Sequence, residues 1–178
     1  LIMRKFTLFI SLSFVSISIA FAQATDFTTD DCNGDTHNLF DSLDAGNVIV
    51  IAWVMPCGPC ATYSLPAYAA VQSFSSSHPN RVDFYLVDDY DNTACATLVN
   101  WGITNSMPLN TTFKSPDIRM SDYGADGMPK VVVLGGSDHT VYYNQNDSHI
   151  NFNGAQSAIS DALAAPLAIN EQQTNKLG

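Results

Sequence analysis

Residues 47–60, NVIVIAWVMPCGPC, decide how this chain is read. Asn47 to Val54 is a continuous apolar run rich in β-branched side chains, the pattern of a strand buried on both faces and central in its sheet. Immediately after it come Cys57 and Cys60, with Gly58 and Pro59 between them. Beyond Cys60, the stretch ATYSLPAYAAVQSFSSS carries Tyr63, Ala67, Ala70, Val71 and Phe74 at helical spacing. Pro66 is expected to kink that helix without abolishing it. The two cysteines therefore fall on a strand-to-helix junction, with Cys57 at or just before the helix N-terminus.

Working outward, RVDFYLVDDYD (residues 81–91) reads as a second buried strand ending in an acidic, solvated loop, and NTACATLVNWG as a short helix stopped by Gly102. Signals weaken from Ile103 to Gly127, with a helical turn expected around Ser115 to Tyr123. Then MPKVVVLGGSDHTVYYNQ predicts a strand, a turn at Gly135-Gly136 and a second strand. GAQSAISDALAAPL predicts a final amphipathic helix with Ala155, Ile159 and Leu163 on one face. Towards the other end, residues 26–46 predict a short strand, an Asn33-Gly34 turn and a polar stretch closing at Gly46, together an edge hairpin. No internal repeat or low-complexity block interrupts this pattern.

The first residues, LIMRKFTLFISLSFVSISIAFAQA, place Arg4 and Lys5 before an uncharged run and end in small residues at Ala20, Ala22 and Ala24. That is the layout of a secretory signal peptide, residues 1–24, cut after Ala22 or Ala24. The rival reading, an uncleaved membrane anchor, is opposed by Ser11, Ser13, Ser16 and Ser18 within the run. Residues 25–165 make one domain, and residues 166–178 a polar tail. Losing Arg4 and Lys5 leaves five basic residues against 17 acidic ones, a formal charge of −12. Nucleic acid and anionic membrane surfaces are poor partners for such a chain. The expected location is periplasmic or secreted, with no stable membrane association after cleavage.

A cysteine pair at this spacing can brace a chain, hold half of a zinc site or exchange electrons. Zinc wants four ligands, commonly two such pairs, whereas Cys32 and Cys95 stand apart and His37, His78, His139 and His149 show no helical pairing. The histidines read as surface or loop residues, and Asp88, Asp89 and Asp91 as a solvated strand end rather than a calcium loop. Neither metal nor other cofactor is expected. Redox chemistry has a positive physical case. Unsatisfied N–H groups and the positive dipole end at a helix N-terminus stabilise a thiolate. A partner three residues on lies within reach, and proline is tolerated in a first turn whose N–H groups lack intrahelical acceptors.

CGPC after a buried strand, followed much later by GMPKVVVLGG, resembles the thioredoxin superfamily over roughly Asp26 to Leu163. Trp53, four residues before Cys57, is similar to that family's tryptophan before the motif, and Met128-Pro129 to its cis-proline loop. The longer segment between Cys60 and Pro129 and the N-terminal hairpin resemble the exported TlpA- and ResA-like branch. The resemblance implies an α/β fold with a central mixed β-sheet flanked by helices, an N-terminal hairpin and an inserted strand-helix segment. It implies Cys57 as nucleophile, Cys60 as resolving thiol, and Trp53, Pro56, Met128 and Pro129 as residues meeting a protein thiol or disulfide substrate, with an upstream redox partner. Three positions depart from the family pattern. Pro56 stands where tryptophan is usual, and Ile51 and Tyr63 replace acids that would help deprotonate the second cysteine.

Two functions follow: a thiol:disulfide oxidoreductase, or a redox-silent binding or assembly module that keeps Cys57–Cys60 as a fixed bridge. Peroxidase chemistry is a poor third reading. Four cysteines allow three pairings. If Cys57 and Cys60 belong together, Cys32 and Cys95 are expected to form a structural disulfide, because unpaired thiols in an oxidising compartment oxidise or cross-link.

Overall fold

The structure is a computed structural model describing residues 22–88, 90–124 and 127–166. The expected signal peptide up to residue 21 and the expected tail from residue 167 lie outside the described residues. The centre is a five-stranded sheet in the order β5-β4-β3-β6-β7. It comprises β3 (Val48–Val54), β4 (Val82–Asp88), β5 (Thr111–Phe113), β6 (Lys130–Gly135) and β7 (Thr140–Asn146). The three strands β3, β4 and β5 run parallel, while β6 is antiparallel to both β3 and β7. Every residue of β3 is buried, as its unbroken apolar run requires of a central strand.

Strand alternation divides the interior into two cores. Val48, Val50, Ala52 and Val54 face helices α2 (Gly58–Gln72) and α4 (Phe152–Ala164), where Ala67, Ala70, Ala155 and Ile159 complete the packing. Ile49, Ile51 and Trp53 face the opposite side, against Leu39, Leu43, Phe113 and Tyr123. Each fully buried Val, Leu or Ile contributes about 1.5–3 kcal/mol relative to exposure. Among the described residues no helix is long and apolar enough to cross a membrane.

Several expectations need correction. The N-terminal hairpin, β1 (Thr28–Asp30) with β2 (Thr36–Asn38), is a separate two-stranded sheet rather than an edge of the main one. The stretch after it is not merely polar. Helix α1 (Leu39–Asp44) starts there, capped by Asn38, whose Oδ1 accepts the Asp41 N–H at 2.7 Å, and it buries Leu39 and Leu43. Helix α3 (Cys95–Thr104) runs through Gly102 instead of stopping at it. Gly102 allows close approach: a Cβ there would meet Asn110 Nδ2 at 2.9 Å and Leu86 Cδ2 at 3.2 Å. Strand β5 fell within a stretch of weak signals, and the turn expected around Ser115 to Tyr123 is a short 3₁₀ helix, Met120–Tyr123. As expected, Pro66 does not end α2, which continues to Gln72. Gly135 ends β6, and the turn begins at Gly136, which has a φ of 73° and accepts the His139 N–H at 3.0 Å.

Candidate active site

Three chain segments meet at the end of β3. Val54 pairs with Asp88 at the end of β4, and Trp53 pairs with Lys130 at the start of β6. The register therefore brings the Cys57 loop, the loop after Asp88 and the Met128-Pro129 turn to one end of the sheet. Asp88 corrects an expectation, because it is 1% exposed rather than solvated. Its carboxylate accepts the N–H groups of Tyr90 (3.3 Å), Asn92 (2.7 Å) and Thr93 (2.5 Å), so it fixes the loop leading to α3.

Cys57 is the N-cap of α2, in extended backbone conformation, with Pro59 in the first turn. Its Sγ accepts the Cys60 backbone N–H at 3.2 Å, so a helix-end donor points at the sulfur. Cys57 is half-buried, whereas Cys60 is fully buried; both are free thiols. Burial, together with the hydrogen bond and charge of Cys57, pushes the Cys60 thiol up to about 12, against opposing backbone contacts from Met55 and Cys60 itself. One sulfur is thus partly open at the surface, while the other is enclosed and kept protonated.

The Met128-Pro129 bond is cis. Met128 is half-buried and Pro129 buried, and Met128 packs on the same core as Cys57 and Tyr63. Asn146 holds this turn in place: its Nδ2 donates to Gly127 O at 2.7 Å and its Oδ1 accepts from Lys130 Nζ at 3.2 Å. Nothing in the local sequence distinguishes Asn146 from other polar residues near a strand end. Pro56 is exposed beside Cys57, and so are Met55 and, on the adjoining loop, Tyr90. Trp53 differs from Pro56 and Met128, which have surface to offer a substrate. It is wholly enclosed, its Nε1 donating to Ile118 O at 2.9 Å and its ring tilted against Tyr123 at 5.3 Å, so it supports the site from below. Ile51 shares the face of Trp53, away from Cys60, and Tyr63 is partly buried against the same core as Cys57.

The other two cysteines are bonded. Cys32, in the hairpin turn, and Cys95, the first residue of α3, have an S–S distance of 2.08 Å and Cα atoms 5.3 Å apart. Two of the histidines, both partly buried, make specific contacts. His37 sits edge-on to Tyr85 and Phe113 and within 3.3 Å of Asp31, while His139 stacks on Phe40 at 3.7 Å and bonds Asp44 at 2.8 Å. Among the described residues, no three His, Cys, Asp or Glu side chains gather as a metal site would require.

No family model matches the sequence, and no curated protein matches it. Solved structures do. The thioredoxin domain of a thiol-disulfide oxidoreductase from Bacteroides vulgatus superposes with a TM-score of 0.60 at 14% identity, covering 80% of this chain and 99% of that one. A thioredoxin-family thiol:disulfide interchange protein from Chlorobium tepidum gives 0.58 at 14% identity, covering 82% and 99%. A secreted Mycobacterium tuberculosis disulfide oxidoreductase homologous to E. coli DsbE gives 0.54 at 14% identity, covering 76% and 95%. This chain has the thioredoxin-like fold: a mixed central sheet between helices, with an N-terminal hairpin beside it. Its particular version has a CGPC helix start and a cis-proline turn at the same end of the sheet.

Proposed function

We propose that this protein is an exported thiol:disulfide oxidoreductase of the TlpA- and ResA-like kind, acting on protein thiols or disulfides through Cys57 and Cys60. The observation that carries this reading is the asymmetry of the pair. Cys57 is accessible at a helix N-terminus with an N–H directed at its sulfur, and Cys60 is enclosed one step behind it. In the reducing direction, the Cys57 thiolate attacks a substrate disulfide, bonds one sulfur and releases the other as thiolate. Cys60 then loses its proton and attacks Cys57 Sγ, forming Cys57–Cys60 and releasing the second substrate sulfur. The protein has passed two electrons to the substrate, and a partner dithiol must restore them. Oxidation of a substrate dithiol is the same path reversed.

Met128 and Pro129 are the residues proposed to hold the substrate chain as an added strand beside Cys57, with Pro56 on the rim and Trp53 beneath. Tyr90 and Met55 add exposed apolar surface at the same end of the sheet. Export rests on the N-terminal sequence, on Cys32–Cys95 and on the likeness to a protein described as secreted. Insulin reduction driven by dithiothreitol tests the activity. Precipitation of the insulin B chain faster than with dithiothreitol alone is expected, and a rate no better than that background leaves the redox-silent module in its place.

A further inference from the structure

One helical turn beyond Cys60 lies Ser64, fully buried, with no hydrogen-bond partner for its Oγ among the described residues. Both belong to the buried stripe of α2, together with Ala67, Tyr68, Ala70 and Val71. Ala67, Ala70 and Val71 have no polar side-chain atom to satisfy, and the Tyr68 hydroxyl accepts the Leu109 N–H at 3.1 Å. A serine inside a helix ordinarily bonds the carbonyl of the preceding turn. Ser64 does not, so the fold carries an unspent hydroxyl in its core, which is destabilising.

Its position gives that hydroxyl a use. Residues four apart on a helix share a face, with roughly 5–6 Å between Cβ atoms. Helical side chains lean towards the N-terminus, so Ser64 leans towards the turn that carries Cys60. Cys60 must become an anion to resolve a mixed disulfide, yet burial and the sulfur of Cys57 both oppose this. No acid stands at residue 51 or 63, and Ile51 faces the other core.

Building on the exchange reaction proposed above, we infer that Ser64 is a positioning residue for the resolving step. Rotation about its Cα–Cβ bond brings Oγ–H to Cys60 Sγ as the thiolate forms. The Cys60 proton goes to the substrate thiolate already released in the first step or to solvent, and Ser64 keeps its own. The hydroxyl thereby supplies by hydrogen bonding part of what a nearby carboxylate would supply as a base.

The test is the reaction of reduced protein with one equivalent of 5,5′-dithiobis(2-nitrobenzoate), followed by stopped flow. Attack by Cys57 releases the first thionitrobenzoate, and attack by Cys60 on the mixed disulfide releases the second. Ser64→Ala is expected to leave the first phase unchanged and slow the second about tenfold, the scale of one hydrogen bond to a charged group. The pH profile of the second phase should move up by about one unit, while thermal stability holds or rises, since a buried unpaired hydroxyl is removed. An unchanged second phase in Ser64→Ala, or a lower melting temperature without a kinetic effect, overturns the inference. Wild-type protein that releases both equivalents but fails to reduce insulin overturns the proposed function instead, and a slowed second phase in Ser64→Ala still supports the role of Ser64.

Discussion

Cys32 and Cys95 are joined across 63 residues of sequence, whereas Cys57 and Cys60 lie three apart and remain thiols. The first pair ties a hairpin turn to the start of α3, both outside the central strands. Closing so long a loop restricts the unfolded chain and contributes about 4 kcal/mol in the chain-entropy account. The second pair sits on one helix end, where closure restricts very little chain, so it can open and close without the fold depending on it. Placement therefore separates the roles of four chemically identical side chains. One pair is a staple, and the other is free to react.

The largest effect expected from breaking this division is on the reactive pair. Cys57→Ser should abolish insulin reduction, leaving only the dithiothreitol background, while its melting temperature stays close to wild type. Removing the staple should do the opposite. Cys32→Ser with Cys95→Ser should lower unfolding free energy by about 4 kcal/mol in urea, yet leave the iodoacetamide labelling rate of Cys57 within about twofold, the division being one of independent sites. Coupled losses in either variant would show that the two pairs do not act separately.

Alkali gives a smaller and graded effect. Cys60 rises from an ordinary 9.0 to about 12, chiefly through burial, and Tyr85 and Tyr123 rise from 10.0 to about 12 for the same reason. Between the ordinary values and about 12, the unfolded chain gives up protons that the folded chain retains. Stability is thus full below pH 9 and falls as pH rises towards 12. Melting temperatures of the reduced protein should begin to drop near pH 9. Oxidising Cys57–Cys60 removes the thiol from this balance, so the onset should move up towards pH 10, where the tyrosines act alone. Identical alkaline limbs in the two forms would contradict the burial assigned to the Cys60 thiol.

The central strands were legible because β3 is a continuous apolar run and β4 and β6 carry the buried runs Phe84–Val87 and Val131–Leu134, whose burial on both faces leaves no other comfortable place for them. Strand β5 was not. Its three residues, Thr111–Phe113, become a strand only by pairing with Tyr85–Val87 of β4, which is a tertiary fact. Helix α1 did leave a local trace, in Asn38 as a cap before Leu39 and Leu43. At the site, Cys57 and Cys60 could be read locally because their geometry is set by one strand end and one helix start. Met128-Pro129 was singled out only by resemblance, since its approach to the β3 end depends on the antiparallel register of β6. Asp88 misled because an acid after a strand is usually solvated; here its carboxylate is consumed by backbone donors of its own loop. Ser64 was invisible for a related reason, as being buried without a partner is a property of the packed helix and not of the residue type.

The most direct test of the division between the two pairs is a redox titration of the native protein in dithiothreitol buffers, with each cysteine quantified by alkylation and peptide mass spectrometry. Cys57 and Cys60 should pass together from dithiol to disulfide in one two-electron transition, between about −200 and −280 mV as expected for a reducing thioredoxin-like pair. Cys32–Cys95 should stay closed throughout. A Cys57–Cys60 bridge that never opens across that range, or opens only together with Cys32–Cys95, would contradict the account.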